Sequence, residues 1–273
     1  MTLPVTDTAL IGTCLAAAAL GLIVLTSSGG NGNATDTPEP DTETSSLPAI
    51  TPAPGVDPEF GAQVRDYLLA NPEVIFEAVS VFEERTAAAQ AGMDGALIEA
   101  NAAALFEDSH SFVSGNPEGD IRLVEFIDYR CGFCQRAHEE MAEVLETDGG
   151  IRLITKEFPI LGPDSESASR FAISVLQIGG DAAYARAHSA LMRHREAITP
   201  DFLETLAADL ELDFDEIAAR MDSDAVTEIL AENRALAQRL QVSGTPTYVM
   251  ETELIRGFIP AEVMLEIAAD LRG

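Results

Sequence analysis

The fold is specified most strongly by IRLVEFIDYRCGFC, residues 121–134. Its first seven residues, 121–127, are mostly apolar and have the composition of a buried strand. Cys131 follows and begins a helical run, which ends at the glycine pair 149–150. Residues 151–158 then form a second strand candidate. A strand, a helix and a strand in this order predict parallel pairing with a right-handed crossover.

Cys131 and Cys134 form a C-x-x-C pair where the first strand meets its helix. Residues i and i+3 in a first helical turn lie close enough for a disulfide. The Cys131 sulfur would lie at the helix N-terminus, where unpaired N–H groups and the macrodipole favour a thiolate. We therefore expect a lowered pKa for Cys131 and a more buried Cys134, with one thiol attacking and the other resolving.

Two other interpretations of the cysteine pair stay open. A metal site would need further ligands, and the nearest candidate is His138, a position that is more often a solvated helix residue. A structural disulfide across four residues would restrain little of the unfolded chain. We expect no metal and no dissociable cofactor, because the cysteine pair is itself the redox centre.

The second half of the chain is helical in pattern from residue 164 to residue 240 and then returns to strands. Residues 242–250 and 254–258 are strand candidates, and a closing helix covers residues 260–271. The order βαβ, helical insertion, ββα predicts an α/β fold with a mixed central sheet flanked by helices. The helical insertion covers residues 161–241, approximately.

Pro246 lies inside the strand candidate at residues 242–250, within the sequence SGTPT of residues 243–247. Proline lacks the N–H that a central strand position donates, so it is restricted to an edge, a bulge or a cis turn. A cis bond would leave the Thr245 backbone free to pair with a passing substrate strand. The sequence alone fits an edge proline equally well.

The N-terminal residues 9–25 are mostly apolar, contain Cys14 and carry no charge. As a helix they would reach about 26 Å, against a hydrocarbon core of about 30 Å. Residues 1–8 contain neither Lys nor Arg, unlike the start of a standard signal peptide. We expect residues 1–28 to be an uncleaved membrane anchor or a cleaved signal; a buried soluble helix is the third interpretation.

Two segments separate this N-terminus from the strands. Residues 29–57 are rich in Ser, Thr, Pro, Gly and acidic residues and predict a disordered linker. Residues 58–110 are helical in pattern, with Asn71 as an N-cap, Pro72 at the first helical position and an apolar face around Phe82. That face packs either on the C-terminal domain or on copies of itself, and we expect a homo-oligomer through residues 58–106.

The charge balance is strongly acidic, with 46 Asp and Glu residues against 16 Lys and Arg residues and a net charge of -30. A surface of this sign repels phosphate, so nucleic acid is not an expected partner. The same field steers cationic client proteins weakly towards the surface. Lys156 is the single lysine of the chain.

The sequences EFIDYRCGFC, residues 125–134, and GTPTYV, residues 244–249, resemble the DsbA branch of the thioredoxin superfamily, especially its Com1-like and ScsC-like members. The resemblance implies that residues 111–273 form a DsbA-like thioredoxin domain. It also implies that Cys131 is the nucleophile and Cys134 the resolving thiol. Thr245 and Pro246 would form the substrate-binding cis-proline loop.

The same resemblance implies a proton-transfer pair. Glu125 stands where the family keeps a buried acid beneath the disulfide, and Lys156 on the next strand matches its basic partner. A carboxyl group whose pKa is raised by burial could accept the proton of Cys134. The other interpretation is a solvated Glu and Lys at strand ends.

These features predict an exported thiol-disulfide oxidoreductase that is periplasmic or extracytoplasmic and tethered to the membrane. We expect it to act on cysteine-containing exported proteins and to be reset by an unidentified redox partner. We expect an oxidase. Gly132 and Phe133 replace the Pro-His of DsbA, and Thr245 is typical of isomerases or reductases, so these remain the alternatives. A copper- or zinc-handling module and a tethered adaptor with a vestigial motif are hypotheses of other classes.

Overall fold

The computed structural model describes residues 57–273, in which nine helices and five strands are formed. The strands are β1 (Phe112–Gly115), β2 (Ile121–Ile127), β3 (Ile151–Glu157), β4 (Thr247–Met250) and β5 (Glu253–Arg256). The helices are α1 (Pro58–Ala70), α2 (Glu73–Ala100), α3 (Ala102–Phe106), α4 (Gly132–Thr147), α5 (Pro163–Arg193), α6 (Pro200–Asp209), α7 (Phe214–Met221), α8 (Asp224–Arg239) and α9 (Ala261–Arg272).

The predicted anchor or signal, Cys14 and nearly all of the predicted linker lie outside the described residues. Within residues 57–273, no helix combines the length and the apolar character that crossing a bilayer requires.

The five strands form one mixed sheet in the order β1-β3-β2-β4-β5. Strands β2 and β3 are parallel, as the strand, helix and strand pattern predicts, and all other neighbours are antiparallel. The α/β class with a mixed central sheet, flanking helices and a helical insertion is therefore confirmed. Strand β2 lies at the centre and leads directly into the C-x-x-C turn.

Strand β1 is absent from the sequence prediction. It has four residues, FVSG, and is too short and too polar to show a strand pattern. It is stabilised by antiparallel pairing with β3, from Phe112 opposite Thr155 to Gly115 opposite Arg152. Pro246 differs from its prediction as well, because β4 begins only at Thr247 and the proline precedes the strand.

The helical insertion predicted for residues 161–241 consists of α5 to α8. Helix α5 is kinked at Gly180, whose φ of 74° lies in the region that glycine tolerates without strain. Thr199, Asp213 and Ser223 cap the following three helices with side-chain oxygens that accept backbone N–H groups.

The core lies on both faces of the sheet. One apolar cluster joins β2 and β3 to α4 and α9, and includes Leu123, Val144 and Met264. A second cluster places Phe126 and residues of α8 on another side of the same strands. Because β2 is covered on both faces, its sequence is nearly continuously apolar rather than alternating.

The N-terminal helices differ from prediction at their junction. Helix α2 begins at Glu73 with Pro72 as its N-cap residue, and Asn71 does not cap it. The Asn71 amide instead donates to the Tyr67 carbonyl at 2.9 Å, which closes the end of α1. At its other end α2 packs on β5, where Asp94 accepts from Arg256 at 2.8 Å.

The predicted pairing of Lys156 with Glu125 is wrong. In the parallel register Glu125 is opposite Thr155, whereas Lys156 is opposite Phe126. Side chains alternate between the two faces of a strand, so Lys156 and Glu125 lie on opposite faces. The Lys156 ammonium donates instead to the Asp108 carboxylate and, at 2.9 Å, to the Ala104 carbonyl.

Lys156 therefore stabilises the segment between α3 and β1 rather than the redox site. Its side chain is 1% exposed and that of Asp108 is 10% exposed. Burial lowers the pKa of Lys156, and the charge of Asp108 opposes that shift. The pair is a buried ion pair in which each charge needs the other.

We expect Asp108→Asn to lower the free energy of unfolding by about 3 kcal/mol, because it leaves a buried ammonium without its anion. Chemical denaturation monitored by circular dichroism measures this loss. The double variant Asp108→Leu with Lys156→Met is the matched control and should cost less than the single change, since it removes both charges. Wild-type stability of Asp108→Asn would contradict this account.

Candidate functional site

The C-x-x-C turn begins four residues after β2 ends. Cys131 is the N-cap residue of α4, with extended φ and ψ of -79° and 114°, and its carbonyl accepts the Gln135 N–H at 3.0 Å. Gly132 and Phe133 form the first turn and are exposed. This geometry puts the Cys131 sulfur at the unpaired N–H groups of the helix terminus.

Both cysteines of the pair are free thiols, and both are buried: Cys131 is 7% exposed and Cys134 is 2% exposed. The Cys134 thiol donates to Cys131 and contributes most to lowering the pKa of Cys131, which falls to about 5. Burial opposes this shift, while Thr245 and the backbone N–H groups of Cys134 and Phe133 add to it.

The pKa of Cys134 moves in the opposite direction. Its hydrogen bond to Cys131 and its burial raise that pKa far above the ordinary thiol range. The reduced pair therefore holds one proton at neutral pH, and this proton is on Cys134. The sulfur nearer to solvent is the nucleophilic one.

The Pro246 loop lies against Cys131. The Thr245–Pro246 peptide bond is cis, and the Thr245 carbonyl lies 3.1 Å from the Cys131 sulfur. The Pro246 carbonyl accepts the Gly257 N–H at 2.9 Å, which links this loop to the segment after β5. The structure thus brings together four of the six predicted site residues, from two distant parts of the chain.

Glu125 is the fifth predicted residue that lies in this region. Its carboxyl group accepts the Thr155 hydroxyl at 2.9 Å, and burial raises its pKa to about 7. Tyr248 is its partner across β2 and β4. Burial raises the pKa of Tyr248, and the charges of Glu125, Cys134 and Cys131 raise it further.

A cavity of about 310 Å³ adjoins Glu125. Its lining includes His138 and His188, whose rings are 5.0 Å apart. His138 contacts the Ser189 hydroxyl at 3.3 Å rather than joining the cysteines. In the part of the chain that the structure describes, no group of three or more His, Cys, Asp or Glu side chains is placed to hold a metal ion.

Asp128 organises the approach to Cys131, and the sequence analysis missed it. This fully buried carboxylate accepts four donors: the N–H groups of Arg130, Ile160 and Leu161 at 2.7, 2.8 and 3.0 Å, and the Ser165 hydroxyl at 2.7 Å. Its carbonyl also accepts the Cys131 N–H. An acidic residue directly after a buried strand was the available signal.

Glu157 forms a second buried hub that the sequence analysis missed. It accepts the hydroxyl groups of Tyr129, Tyr184 and Ser169 at 2.7, 2.6 and 2.7 Å. Burial nevertheless raises its pKa to about 7. This hub fixes Tyr129, two residues before Cys131, against helix α5.

Comparison with known families and structures agrees with this geometry. The model of the DSBA-like thioredoxin domain matches residues 122–268, and that of the copper resistance protein ScsC N-terminal domain matches residues 59–89. The fold and the cysteine pair define a thioredoxin-fold thiol-disulfide oxidoreductase. The chain belongs, more particularly, to the DsbA-like thioredoxin family.

Solved structures support the same family. A thioredoxin-like oxidoreductase from Silicibacter pomeroyi is 35% identical, with a TM-score of 0.58, over 62% of this chain and 96% of that one. BcfH from Salmonella enterica Typhimurium is 29% identical, with a TM-score of 0.65, over 79% and 95%. The fold also matches α-DsbA2 from Wolbachia pipientis, at 23% identity and a TM-score of 0.63 over 67% and 98%.

Curated relatives match through part of their length only. A Na⁺/H⁺ antiporter NhaA 1 from Salinispora arenicola is 28% identical over 137 residues, which are 50% of this chain and 21% of the antiporter. An NhaA 3 from Salinispora tropica is 26% identical over 138 residues. This chain therefore spans about a fifth of the length of these relatives.

In the reduced protein we expect the Cys131 thiolate to form with a midpoint near pH 5, because the Cys134 thiol and the helix N-terminus stabilise the anion. The ultraviolet absorbance of the thiolate, followed against pH, measures this midpoint. Cys134→Ala removes the main donor and should raise the midpoint by about one unit or more.

The control for this titration is Phe133→Ala, which keeps every backbone donor and should leave the midpoint unchanged. A midpoint at the ordinary thiol value, near 9, would contradict the geometry described for the pair.

Proposed function

We propose that this protein is an exported disulfide oxidase, with Cys131 as its nucleophile and Cys134 as its resolving thiol. The observation that carries this proposal is the lowered pKa of Cys131 beside a protonated Cys134. A group whose pKa is lowered in the folded state stabilises that state above its unfolded pKa, near 9 here, and loses the effect as pH falls to about 5. At neutral pH part of this effect remains, and it favours the reduced form, so the disulfide form is a stronger oxidant.

The proposed reaction transfers two electrons from a client dithiol. A client thiolate attacks the Cys131 sulfur of the oxidised pair, forms a mixed disulfide and breaks the bond to Cys134, which leaves as a thiolate and takes up a proton. The second client thiolate then attacks the client sulfur of the mixed disulfide, and Cys131 leaves as a thiolate. Of the two client thiol protons, one resides on Cys134 and one reaches solvent.

The reduced pair must then return its two electrons to a redox partner, which ends the cycle. The family implies cysteine-containing clients and a redox partner in general terms. We propose that both act outside the cytoplasm, where disulfides persist. The apolar residues 9–25 and the polar residues 29–57 support an exported chain with a tethered domain.

We propose four regions in this chain: an anchor or signal at residues 1–28, a linker at 29–57, a helical region at 58–110 and the catalytic domain at 111–273. Thr245 and Pro246 are proposed to bind the client backbone beside Cys131. The contact between the Thr245 carbonyl and the Cys131 sulfur supports that role.

We expect Cys131→Ser to abolish oxidation of a reduced client, because no thiolate remains to form the mixed disulfide. In Cys134→Ala the Cys131 thiolate should attack the disulfide of an oxidised cysteine peptide, release one peptide thiolate and remain as a mixed disulfide, since the resolving thiol is missing. Mass spectrometry of the protein after reaction with this peptide disulfide identifies the linked residue. Retained oxidation by Cys131→Ser would exclude this mechanism and favour the adaptor hypothesis.

Glu125 is proposed to move the proton of Cys134. Its pKa of about 7 lets the carboxyl group accept that proton when Cys134 attacks a mixed disulfide and return it when Cys134 leaves. Lys156 has no part in this step, since it lies on the opposite face of the sheet. Across β2 and β4, Glu125 lies opposite Tyr248, two residues after Pro246, and this register supports its role beside the redox site.

We expect Glu125→Gln to slow the release of glutathione from a mixed disulfide with Cys131 by about tenfold or more at neutral pH. The amide keeps the bond from Thr155 but accepts no proton. Stopped-flow rates between about pH 6 and 8 should rise through about 7 in the wild-type protein and lose this inflection in the variant.

The matched control for this kinetic test is Glu139→Gln, an exposed change on the same helix as the cysteines. It should leave the rate and its pH dependence unchanged. An unaltered inflection in Glu125→Gln would remove Glu125 from the mechanism.

The N-terminal helices support the alternative function, an oligomeric isomerase. Large apolar side chains on these helices are exposed: Tyr67, Leu69, Ile75, Phe76, Val79 and Phe82. The buried residues of α2 are Asp94 and Ile98, both near its C-terminal end. We propose that a second copy of this chain covers the exposed face, which would place several cysteine pairs around one client.

We expect the double variant Phe76→Glu with Phe82→Glu to reduce the sedimentation mass of the protein, because it puts charges into this face. Glu77→Gln is the control on the same helix and should leave the mass unchanged. A wild-type protein that sediments as a monomer at micromolar concentration would contradict self-association.

A further inference from the structure

An arginine lies beside the cysteine pair in a chain whose charge is strongly negative. Arg136 follows Cys134 by two residues on α4 and is exposed. Its guanidinium carbon lies 4.0 Å from the centroid of the Phe258 ring and 5.1 Å from that of Phe133. The guanidinium is thus held by two aromatic rings.

The guanidinium N–H groups of Arg136 have no acceptor among the residues that the structure describes. Other arginines bind carboxylates there: Arg122 pairs with Glu251, Arg256 with Asp94, and Arg272 with two aspartates. The Arg136 side chain makes no hydrogen bond and no ion pair in residues 57–273. A guanidinium stacked on aromatic rings keeps its planar N–H edge free and oriented for a carboxylate.

The two rings connect both halves of the redox site. Phe133 lies between the cysteines and is 58% exposed. Phe258 follows Gly257, whose N–H donates to the Pro246 carbonyl. Arg136 therefore lies between a residue of the C-x-x-C turn and the segment that is bonded to the Pro246 loop.

Two exposed apolar residues are bonded to Asp128, whose carbonyl accepts the Cys131 N–H. Ile160 and Leu161 are 38% and 54% exposed, and the buried carboxylate of Asp128 holds their N–H groups near the start of α4. These two apolar residues are therefore connected to the C-x-x-C turn through one residue. We call Phe133, Arg136, Ile160 and Leu161 the client patch.

Two further arginines add positive charge near the patch. Arg130 precedes Cys131 and donates to the Glu196 carbonyl at 2.6 Å, while Arg195 donates to the Gln135 side chain. The nearest acidic residues on α4 are Glu139, which is exposed, and Glu140, whose carboxylate accepts the Ala261 N–H.

We propose that the client patch selects cysteines that have an acidic and an apolar residue nearby, with Arg136 binding the client carboxylate. This inference rests on the proposed function and names its substrate class. The net charge of the chain does not determine which clients bind at this patch, because solvent ions screen charges that are more than about 8 Å away at physiological ionic strength. A contact with a preoriented guanidinium acts within that distance.

The test compares three dithiol peptides that differ at one position beside a Cys-Phe pair, with Asp, Asn or Lys there. Their oxidation by the full-length oxidised protein is followed, and each kcat/KM is divided by the rate of the same peptide with oxidised glutathione, which removes intrinsic thiol reactivity. We expect the Asp peptide to exceed the Asn peptide by about three- to fivefold and the Lys peptide to be slowest.

Arg136→Gln should reduce the Asp-to-Asn ratio to about one. Arg220→Gln, an exposed change on α7, is the matched control and should keep the wild-type ratio. Three outcomes would each overturn this inference while leaving the proposed function intact: equal rates for the three peptides, preference for the Lys peptide, or an unchanged ratio in Arg136→Gln. If the wild-type protein oxidises none of the peptides, the proposed function is wrong and the inference falls with it.

Discussion

The hydrogen bond between the thiol of Cys134 and the sulfur of Cys131 is the interaction on which the chemistry of this protein depends. It keeps one proton on the buried sulfur and leaves the outer sulfur as a thiolate. Strand β2 delivers Cys131 to the start of α4, where helix N–H groups add to the same effect. The four bonds to Asp128 then fix the turn that connects strand and helix.

Much of the fold follows from the sequence because long buried strands and capped helices have strong local patterns. Strands β2 and β3 and the helical character of the insertion are of this kind. Strand β1 is different, since its four residues become a strand only through pairing with β3. The C-x-x-C pair could be predicted for a similar reason. The spacing of the two cysteines and their position after a buried strand are both features of the local sequence.

The rest of the site depends on contacts between distant residues. Whether Glu125 and Lys156 meet depends on the register of β2 and β3, which the sequence does not specify. A shift of one residue in that register moves a side chain to the other face of the sheet. Asp128 and Ser165 are 37 positions apart, and Tyr129 and Glu157 are 28 apart. No local pattern joins such residues, so both hubs appear only in three dimensions. The same holds for Arg136, which lies between the rings of Phe133 and Phe258.

The central claim is that the cysteine pair gives its disulfide away. The most direct test is the reduction potential of Cys131 and Cys134, measured by equilibrating the full-length Cys14→Ser protein in graded glutathione buffers and trapping free thiols. We predict that the reduction potential of this pair lies well above that of the glutathione couple, because the thiolate stabilises the reduced form. A potential near that of thioredoxin, about -270 mV, would contradict the oxidase and leave a reductase or isomerase.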